Sequence, residues 1–127
     1  MSRKWVRFAP RQLPKAPAPD YSEIRRGSPK SRGYDHEWTK LSIWYRQRNP
    51  FCEACAQEGV EGVLADVVDH MIPVRNDRSL RLDPRNIWSL CNHHHEGMKA
   101  RLERHARLTG QTALLQEWCR HPEKRPI

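Results

Sequence analysis

The sequence contains no apolar run that approaches the roughly 20 residues of a membrane-spanning helix. Its first residues, MSRKWVRFAP, also lack the apolar segment of a secretory signal peptide. Hydrophobic residues make up only 37% of the 127 residues, and the mean hydropathy is −0.93. These absences argue against a membrane or secreted protein. We expect one small cytoplasmic domain with a thin core, which needs stabilisation beyond apolar burial.

Acidic residues are scarce in the first quarter of the chain. Residues 1–33 hold nine Lys or Arg side chains but only Asp20 and Glu23, so this segment accounts for +7 of the net charge of +8. It also contains five of the ten prolines and no sustained apolar period. We predict a basic, disordered arm, because this composition does not form a packed core. Such an arm suits a polyanion such as nucleic acid, and the alternative is a solubilising tail.

Residues 34–127 are predicted to form the folded domain. In HEWTKLSIWYRQR, apolar residues recur every three or four positions, which indicates an amphipathic helix over residues 35–48 with Asp35 as its N-cap. The segments LADVVDHMIPV and NIWSL predict the two strands of a hairpin, joined by the loop RNDRSLRLDPR. The buried face of the helix is expected to comprise Trp38, Leu41, Trp44 and Tyr45.

Two further helices are predicted toward the C-terminus. The first follows the hairpin and ends at Thr109-Gly110, and the second covers residues 111–120 before Pro122. The expected buried positions are Met98, Leu102, His105 or Ala106, and Leu108 in the first helix, and Leu114, Leu115 and Trp118 in the second. No internal repeat is present.

Two short pairs of metal-ligating residues lie about 36 residues apart. Cys52 and Cys55 have the spacing C-x2-C, and Cys91 and His94 have the spacing C-x2-H. In a reducing compartment, such pairs favour a tetrahedral zinc site over disulfides, and zinc binding contributes directly to the folding of a small domain. The fourth ligand is the open point: His93 competes with His94, and Cys119 is an outside candidate that we expect to be a buried apolar residue.

A second set of polar residues is interleaved with the zinc ligands. Asp69 and His70 end the first predicted strand, Asn86 begins the second, and His95 begins the helix. Together with RGYDHEWTKL, NPFCEAC, VVDHMIPV and NIWSLCNHHHEGMKA, these residues make the chain resemble the HNH endonuclease family, particularly small bacteriophage nucleases. The resemblance spans nearly 70 residues and contains several motifs in the family's order.

The resemblance implies both a fold and residue roles. The fold would be α+β, a ββα-metal (His-Me finger) motif with a structural zinc site and flanking helices. His70 would be the general base, Asp69 and His95 the ligands of the catalytic metal, and Asn86 the residue that holds the hairpin. A neutral imidazole is a suitable base for activating water. Either the backbone carbonyl of the residue after His70 or a hydrogen bond from Asn86 would fix its tautomer. One carboxylate and one imidazole suit Mg²⁺, Mn²⁺, Ni²⁺ or Zn²⁺, so the sequence does not select the metal.

The sequence departs from the usual family ending, C-x2-C-H-x2-K, in two places. His94 replaces the second Cys, which is a mild change because His also ligates zinc. Met98 occupies the usual Lys position, and Lys99 or Arg101 would have to supply the phosphate contact instead. Four arginines of the hairpin loop are further candidates for gripping DNA phosphates: Arg75, Arg78, Arg81 and Arg85.

The leading interpretation is a metal-dependent endonuclease that cleaves double-stranded DNA. By analogy it would be encoded by a phage or prophage and would act with terminase during genome packaging in the bacterial cytoplasm. The alternative is a zinc-stabilised DNA-binding or adaptor protein that does not cut, although an adaptor has no need of Asp69, His70 and His95 together. The small size leaves little room for a recognition domain with strict sequence specificity.

Overall fold

Helix α1 (His36–Arg48) begins where the sequence predicts, because Asp35 caps it. The Asp35 carboxylate accepts a hydrogen bond from the Trp38 amide at 3.1 Å. Asn49 ends the helix one residue before Pro50, which has no amide hydrogen to donate. The computed structural model describes residues 35–126; the basic arm predicted for residues 1–33 lies outside them.

Two strands and four further helices follow. They are α2 (Glu53–Gln57), β1 (Val67–His70), β2 (Ile87–Leu90), α3 (Asn92–His94), α4 (Ala100–Thr109) and α5 (Leu115–Arg120). A single π-helical turn, His95–Lys99, joins α3 to α4, and short 3₁₀ turns include Arg78–Leu80 and Pro84–Asn86. This architecture confirms the α+β class and the hairpin followed by a helix. None of the helices within residues 35–126 has the length and apolar character needed to cross a membrane.

The hairpin is antiparallel and shorter than predicted. Val67 pairs with Leu90, and His70 pairs with Ile87. The first strand was expected to run through LADVVDHMIPV, but it ends at His70, where the chain turns toward Pro73. Met71 still donates to the Asn86 carbonyl, but the Ile72 amide donates to the Asn86 side chain instead of a strand partner, so the ladder does not continue. Because side chains alternate along a strand, Asp69 and His70 project to opposite faces of the sheet.

Each face of the hairpin packs against a different helical layer. On one face, Ile87 contacts Trp38 and Tyr45 of α1, and Val68 joins this cluster. On the other face, Trp88 and Leu90 pack among the buried cysteines. A third apolar cluster lies between the C-terminal helices: Ile72, Leu102, Ala106, Leu115 and Trp118. Within residues 35–126 the core is therefore divided into three small clusters, as expected for a chain with few apolar residues.

Three residues predicted to be buried are exposed instead. Trp44 lies on the solvent side of α1, where the Arg48 guanidinium stacks on its ring at 4.5 Å from the ring centroid. Leu108 is 70% exposed because it does not share the face of α4 on which Leu102 and Ala106 are buried. Leu114 belongs to a 3₁₀ turn rather than to α5, so it does not share the buried face of Leu115.

Candidate active site and metal cluster

Four side chains converge to form a buried metal-ligand cluster. The donor atoms of Cys52, Cys55, Cys91 and His94 all lie within 4.8 Å of one another. Cys52 and Cys55 come from the start of α2, whereas Cys91 and His94 come from the loop after β2 and from α3. The cluster thus joins two segments that are distant in sequence, and it selects His94 rather than His93, whose side chain is exposed.

The distances in this cluster fit a tetrahedral metal site. Cys55 Sγ lies 3.8 Å from Cys91 Sγ and 3.4 Å from His94 Nδ1. Two sulfur ligands about 2.3 Å from a zinc ion at the tetrahedral angle lie about 3.8 Å apart, whereas a disulfide requires about 2.05 Å. The residues present therefore fit a four-coordinate metal ion and not a disulfide.

Glu58 is hydrogen-bonded to the histidine of the cluster. With Nδ1 of His94 facing the sulfurs, its Nε2 lies 2.9 Å from the Glu58 carboxylate. A carboxylate that accepts this hydrogen bond fixes the ring orientation and the tautomer needed for ligation. No sequence signal distinguishes Glu58 from the other acidic residues, so sequence analysis did not find it. Cys119 is not part of the cluster: it is fully buried, and burial raises the pKa of its thiol to about 12.

The second set of residues meets at the end of the hairpin. His70 is buried, and its Nε2 lies 2.9 Å from the Arg81 carbonyl oxygen. A carbonyl only accepts hydrogen bonds, so Nε2 is protonated, and in the neutral ring Nδ1 is then able to accept a proton. Burial lowers the pKa of His70 below its usual 6.5, which favours the neutral ring. The tautomer thus depends on a carbonyl 11 residues away in the chain rather than on that of the residue after His70, and the side-chain hydrogen bonds of Asn86 go to the Ile72 backbone.

Asp69 and His95 lie together on the opposite face of the hairpin. Asp69 Oδ1 is 3.5 Å from His95 Nε2. Two donors that share one divalent ion at about 2.1 Å lie roughly 3 to 4 Å apart, so this pair fits a metal site. Burial opposes ionisation of Asp69, but the Lys99 ammonium and His95 outweigh it and lower the pKa of the carboxyl. The pair therefore presents an ionised oxygen and an imidazole nitrogen.

Lys99 is buried beside Asp69 rather than exposed to solvent. Its Nζ lies 2.8 Å from Asp69 Oδ2, donates to the His70 carbonyl at 2.7 Å and also contacts Glu103. The side chain is 1% exposed. Burial disfavours its charge, but the two carboxylates outweigh burial and raise its pKa. The ammonium is thus already paired with two carboxylates, which does not favour the DNA contact predicted for Lys99.

The π turn explains how Lys99 comes to lie beside Asp69. A π turn contains one residue more than an α-helical turn, with hydrogen bonds from i to i+5. The turn spans His95–Lys99, and it contains Met98, the position at which the resemblance would place a Lys. The extra residue is absorbed there, so Lys99 reaches the carboxylate of β1 although Met98 holds the usual position in the sequence. Single-sequence patterns do not reveal a π turn.

The arginines of the hairpin loop differ in how far their side chains are exposed to solvent. Arg75, Arg78 and Arg85 are exposed, and Arg75 and Arg85 contact Glu103 and Asp83 respectively. By contrast, the Arg81 side chain is only 16% exposed and makes two 3.0 Å hydrogen bonds to the Asp35 carboxylate. The first three remain candidates for DNA contacts, whereas Arg81 has a position inside the fold.

Asn86 holds the chain where it leaves β1. It is fully buried, its side-chain oxygen accepts from the Ile72 amide at 3.0 Å, and its Nδ2 donates to the Ile72 carbonyl at 3.1 Å. These two bonds fix the segment that follows His70. This geometry agrees with the holding role that the resemblance implies for Asn86.

We expect Asn86→Ala to destabilise the protein by about 2–5 kcal/mol, because two buried backbone groups of Ile72 lose their partners at about 1–3 kcal/mol each. Urea denaturation of the metal-loaded protein measures this loss. Asn76→Ala is the matched control, since Asn76 is exposed and the same substitution there should change stability by less than about 0.5 kcal/mol. Equal effects at both positions would contradict the role given to the Asn86 side chain.

Lys99→Met is expected to cost about 3–5 kcal/mol, because it removes the cation from a buried cluster and leaves Asp69 without its partner. Arg75→Met provides the comparison, since Arg75 also contacts Glu103 but is 62% exposed. A surface ion pair contributes only about 0–1 kcal/mol. Both variants are compared by urea denaturation, and a loss for Lys99→Met no larger than that for Arg75→Met would show that the ammonium is not a structural cation.

The described residues form a ββα unit, a hairpin followed by a helix. A polar cluster lies at the end of its first strand, and a Cys₃His cluster that fits a metal ion lies beside it. The crystal structure of the HNH endonuclease of the deep-sea thermophilic bacteriophage GVE2, determined with a manganese ion, is similar to this chain. The two are 30% identical, with a TM-score of 0.54, over 67% of this chain and 94% of the phage enzyme.

Scans against protein-family models and against curated protein sequences return no match. The identity and coverage of the structural match nevertheless show the family. The chain belongs to the HNH endonucleases, which are phosphodiester hydrolases. The family resemblance stated from the sequence motifs is therefore confirmed.

Proposed function

We propose that this chain is a metal-dependent endonuclease that hydrolyses DNA phosphodiester bonds, with His70 as its general base. The observation that supports this most strongly is the hydrogen bond from His70 Nε2 to the Arg81 carbonyl, which leaves the basic lone pair on Nδ1. The ring lies at the end of the strand that also provides Asp69. The proposed base is thus next in sequence to one of the two proposed metal ligands, and a base together with a metal site is a combination of roles expected of a hydrolytic site.

Different residues of the chain have different roles in the reaction. His70 Nδ1 takes a proton from the attacking water, whose oxygen forms a bond to phosphorus. The bond from phosphorus to the 3′ oxygen then breaks, and that oxygen gains a proton from solvent. The products are a 5′-phosphate and a 3′-hydroxyl end. Asn86 contributes indirectly, since its bonds to Ile72 hold the chain just beyond His70.

Asp69 and His95 would hold the catalytic divalent ion, for which Mg²⁺, Mn²⁺ and Ni²⁺ are the candidates. When bound, such an ion neutralises charge on the phosphate and on the departing oxygen. The similar phage enzyme was determined with manganese, which makes Mn²⁺ the first ion to test. Lys99 contributes by occupying Asp69 Oδ2, so that Oδ1 faces His95.

Zinc is the ion that we assign to the Cys₃His cluster. Thiolate and imidazole ligands in a closed, buried tetrahedron are typical of structural zinc sites. All four ligands are buried, which fits a structural rather than a catalytic ion. The Glu58 contact to His94 supports the same assignment.

Double-stranded DNA is the proposed substrate, and exposed arginines are the proposed contacts. Arg75, Arg78 and Arg85 lie on the loop that follows His70, close in sequence to the Arg81 carbonyl that binds its ring. Contacts of this kind to phosphate position the DNA without reading its sequence. We propose the same use for the basic residues 1–33, whose charge favours a polyanion.

Incubation of supercoiled plasmid with zinc-loaded protein tests the proposed activity directly. We expect nicked or linear DNA with Mn²⁺, Mg²⁺ or Ni²⁺, no cleavage in EDTA, and ends that DNA ligase reseals. Ligation requires a 5′-phosphate and a 3′-hydroxyl, so it also tests the direction of bond breakage. If folded, zinc-loaded protein binds DNA but cuts with none of the ions, the non-cutting adaptor becomes the better description.

The pH dependence of cleavage follows from the environment of His70. Only the neutral ring accepts a proton, and burial lowers its pKa below 6.5. We therefore expect log kcat/KM to stay near its maximum down to pH 6.5 and to fall only below it. The ion must be saturating at each pH, because contact with Asp69 raises the pKa of His95 and protonation there competes with metal binding. An acid midpoint above 6.5 would contradict this assignment.

A role beside terminase in phage genome packaging, in the cytoplasm of the bacterial host, completes the proposal. It is supported by the bacteriophage origin of the similar enzyme. The test is plasmid cleavage with and without terminase subunits of a phage that encodes a similar nuclease. We expect terminase to bind the protein and to change the rate or the position of cleavage. Absence of binding and of any effect would leave an autonomous nuclease.

A further inference from the structure

Helix α1 contacts the proposed base in a way that its amphipathic pattern does not reveal. The indole of Trp38 stacks on the His70 imidazole, with ring centroids 4.1 Å apart and an interplanar angle of 27°. Trp38 is 8% exposed, and His70 is 3% exposed. A stacked, buried ring restricts rotation of the imidazole about its side-chain bonds. The stack therefore restricts the plane of the imidazole ring.

A second connection from α1 reaches the other edge of the same ring. Both carboxylate oxygens of Asp35 accept hydrogen bonds from the Arg81 guanidinium at 3.0 Å, and the Arg81 carbonyl accepts a hydrogen bond from His70 Nε2. Bidentate pairs of this kind fix direction as well as distance. The side chains of Asp35 and Arg81 are only 20% and 16% exposed, so solvent screens their charges less than those of a surface pair.

One carboxylate oxygen links the two connections. Asp35 Oδ1 accepts from Arg81 and also from the Trp38 amide at 3.1 Å. The N-terminal turn of α1, the Arg81 segment and the His70 ring are therefore held together through a single side chain. An N-cap alone requires only an acceptor at this position, and Asn or Ser would serve equally well. The pair with Arg81 uses both carboxylate oxygens of Asp35, whereas helix capping uses only one acceptor.

We propose that Asp35, Trp38 and Arg81 are positioning residues for His70. The start of α1 would then orient the general base of the nuclease site. This inference rests on the proposed function in one respect, the role of His70 as base. Trp38 sets the plane of the imidazole, and Asp35 holds the Arg81 carbonyl that fixes its tautomer. A misplaced base costs up to about 100-fold in rate even when the reacting groups are intact.

Asp35→Asn separates positioning from folding. Asparagine caps a helix as well as aspartate does, so α1 is retained while the charged pair with Arg81 is lost. Asp77→Asn is the matched control: Asp77 caps the 3₁₀ turn Arg78–Leu80 through Ser79 but does not bind the Arg81 guanidinium. We expect Asp35→Asn to lower kcat at saturating DNA at least about tenfold with little change in KM. Asp77→Asn should leave both constants unchanged.

Trp38 is tested by a pair of substitutions. Trp38→Phe keeps an aromatic face against the imidazole, whereas Trp38→Leu keeps only apolar volume. We expect Phe to retain kcat within about threefold and Leu to lose at least about tenfold. Thermal melting of each variant identifies any loss that arises from unfolding. A merely structural role predicts that kcat follows the melting temperature, irrespective of whether the replacement is aromatic.

The tautomer of His70 provides a readout that does not require cleavage. In zinc-loaded protein above the ordinary histidine pKa of about 6.5, ring ¹⁵N shifts distinguish a proton on Nε2 from a proton on Nδ1. We expect Nε2 protonation in the wild type and Asp77→Asn, and a mixture of tautomers in Asp35→Asn and Trp38→Leu. Identical His70 signals in all four proteins would overturn the inference.

The two readouts also separate this inference from the proposed function. If the wild type cuts no DNA but the tautomer depends on Asp35, the ring is positioned as proposed and the nuclease assignment fails. If the wild type cuts DNA and kcat in Asp35→Asn equals that in Asp77→Asn, the nuclease assignment stands and the positioning role of Asp35 is wrong.

Discussion

Removal of the metal from the Cys₃His cluster is expected to unfold the protein. Three of the four ligands, Cys52, Cys55 and Cys91, belong to the core cluster that packs under β2, so the ion and the core share the same side chains. Structural zinc contributes about 10–16 kcal/mol in small domains. The net stability of a folded protein is only about 5–15 kcal/mol. Loss of the ion therefore removes about as much free energy as the whole fold retains.

Cys91→Ala tests this expectation, with Cys119→Ala as its matched control. Both cysteines are buried, but Cys119 lies outside the ligand cluster. We expect Cys91→Ala to lose bound zinc and its cooperative thermal transition. Cys119→Ala should keep one zinc ion per chain and lose only about 0.5–3 kcal/mol, as for an ordinary core truncation. Zinc content and circular dichroism are measured on the same samples. A folded Cys91→Ala protein with an unchanged melting temperature would show that the cluster does not hold the fold.

Substitution of His70 is expected to have the largest effect on activity. Loss of a general base slows a reaction by about 10²- to 10⁴-fold. His70→Gln is the better variant than His70→Ala, because the glutamine amide still donates to the Arg81 carbonyl but does not accept a proton at physiological pH. Both variants should bind zinc and DNA as the wild type does. The rate is measured as single-turnover nicking of supercoiled plasmid with saturating Mn²⁺.

His93→Ala is the control for this experiment. His93 lies in the same run of three histidines as His94 and His95, but it is exposed and belongs to neither site. We expect its rate to equal that of the wild type. If His70→Gln retains more than about a tenth of the wild-type rate, a different group must remove the proton from water, and His70 loses the role of general base.

The run of histidines shows how far the sequence determines the site. Spacing grouped His94 with Cys52, Cys55 and Cys91 but left His93 as a competitor, and the structure brings His94 together with the three cysteines. The position of His95 next to Asp69 followed from the family motif, and the two lie 3.5 Å apart. Both groupings depend on short local spacings attached to a hairpin, which the strand and turn patterns already indicated.

Other features of the site depend on contacts between distant segments, which spacing does not specify. The pairing of Asp35 with Arg81 spans 46 positions, and the sequence pattern identified Asp35 only as a helix cap. Lys99 was predicted to contact DNA phosphate in place of the Lys that the family pattern has at the position of Met98. Its burial follows from the π turn, which no periodicity reveals. The exposed Trp44 likewise shows that an apolar period gives the buried face of a helix only approximately.

The measurement that tests the central claim most directly is the Mn²⁺ dependence of plasmid nicking by the wild type and by Asp69→Asn. Asparagine keeps the shape of the side chain and removes the charge that faces His95. The account predicts that nicking by the wild type rises with Mn²⁺ to a plateau and stops in EDTA. Asp69→Asn, with its zinc content unchanged, should require at least about tenfold more Mn²⁺ or fail to cut. Equal Mn²⁺ dependence in the two proteins, or nicking by the wild type in EDTA, would contradict a metal-dependent site at Asp69 and His95.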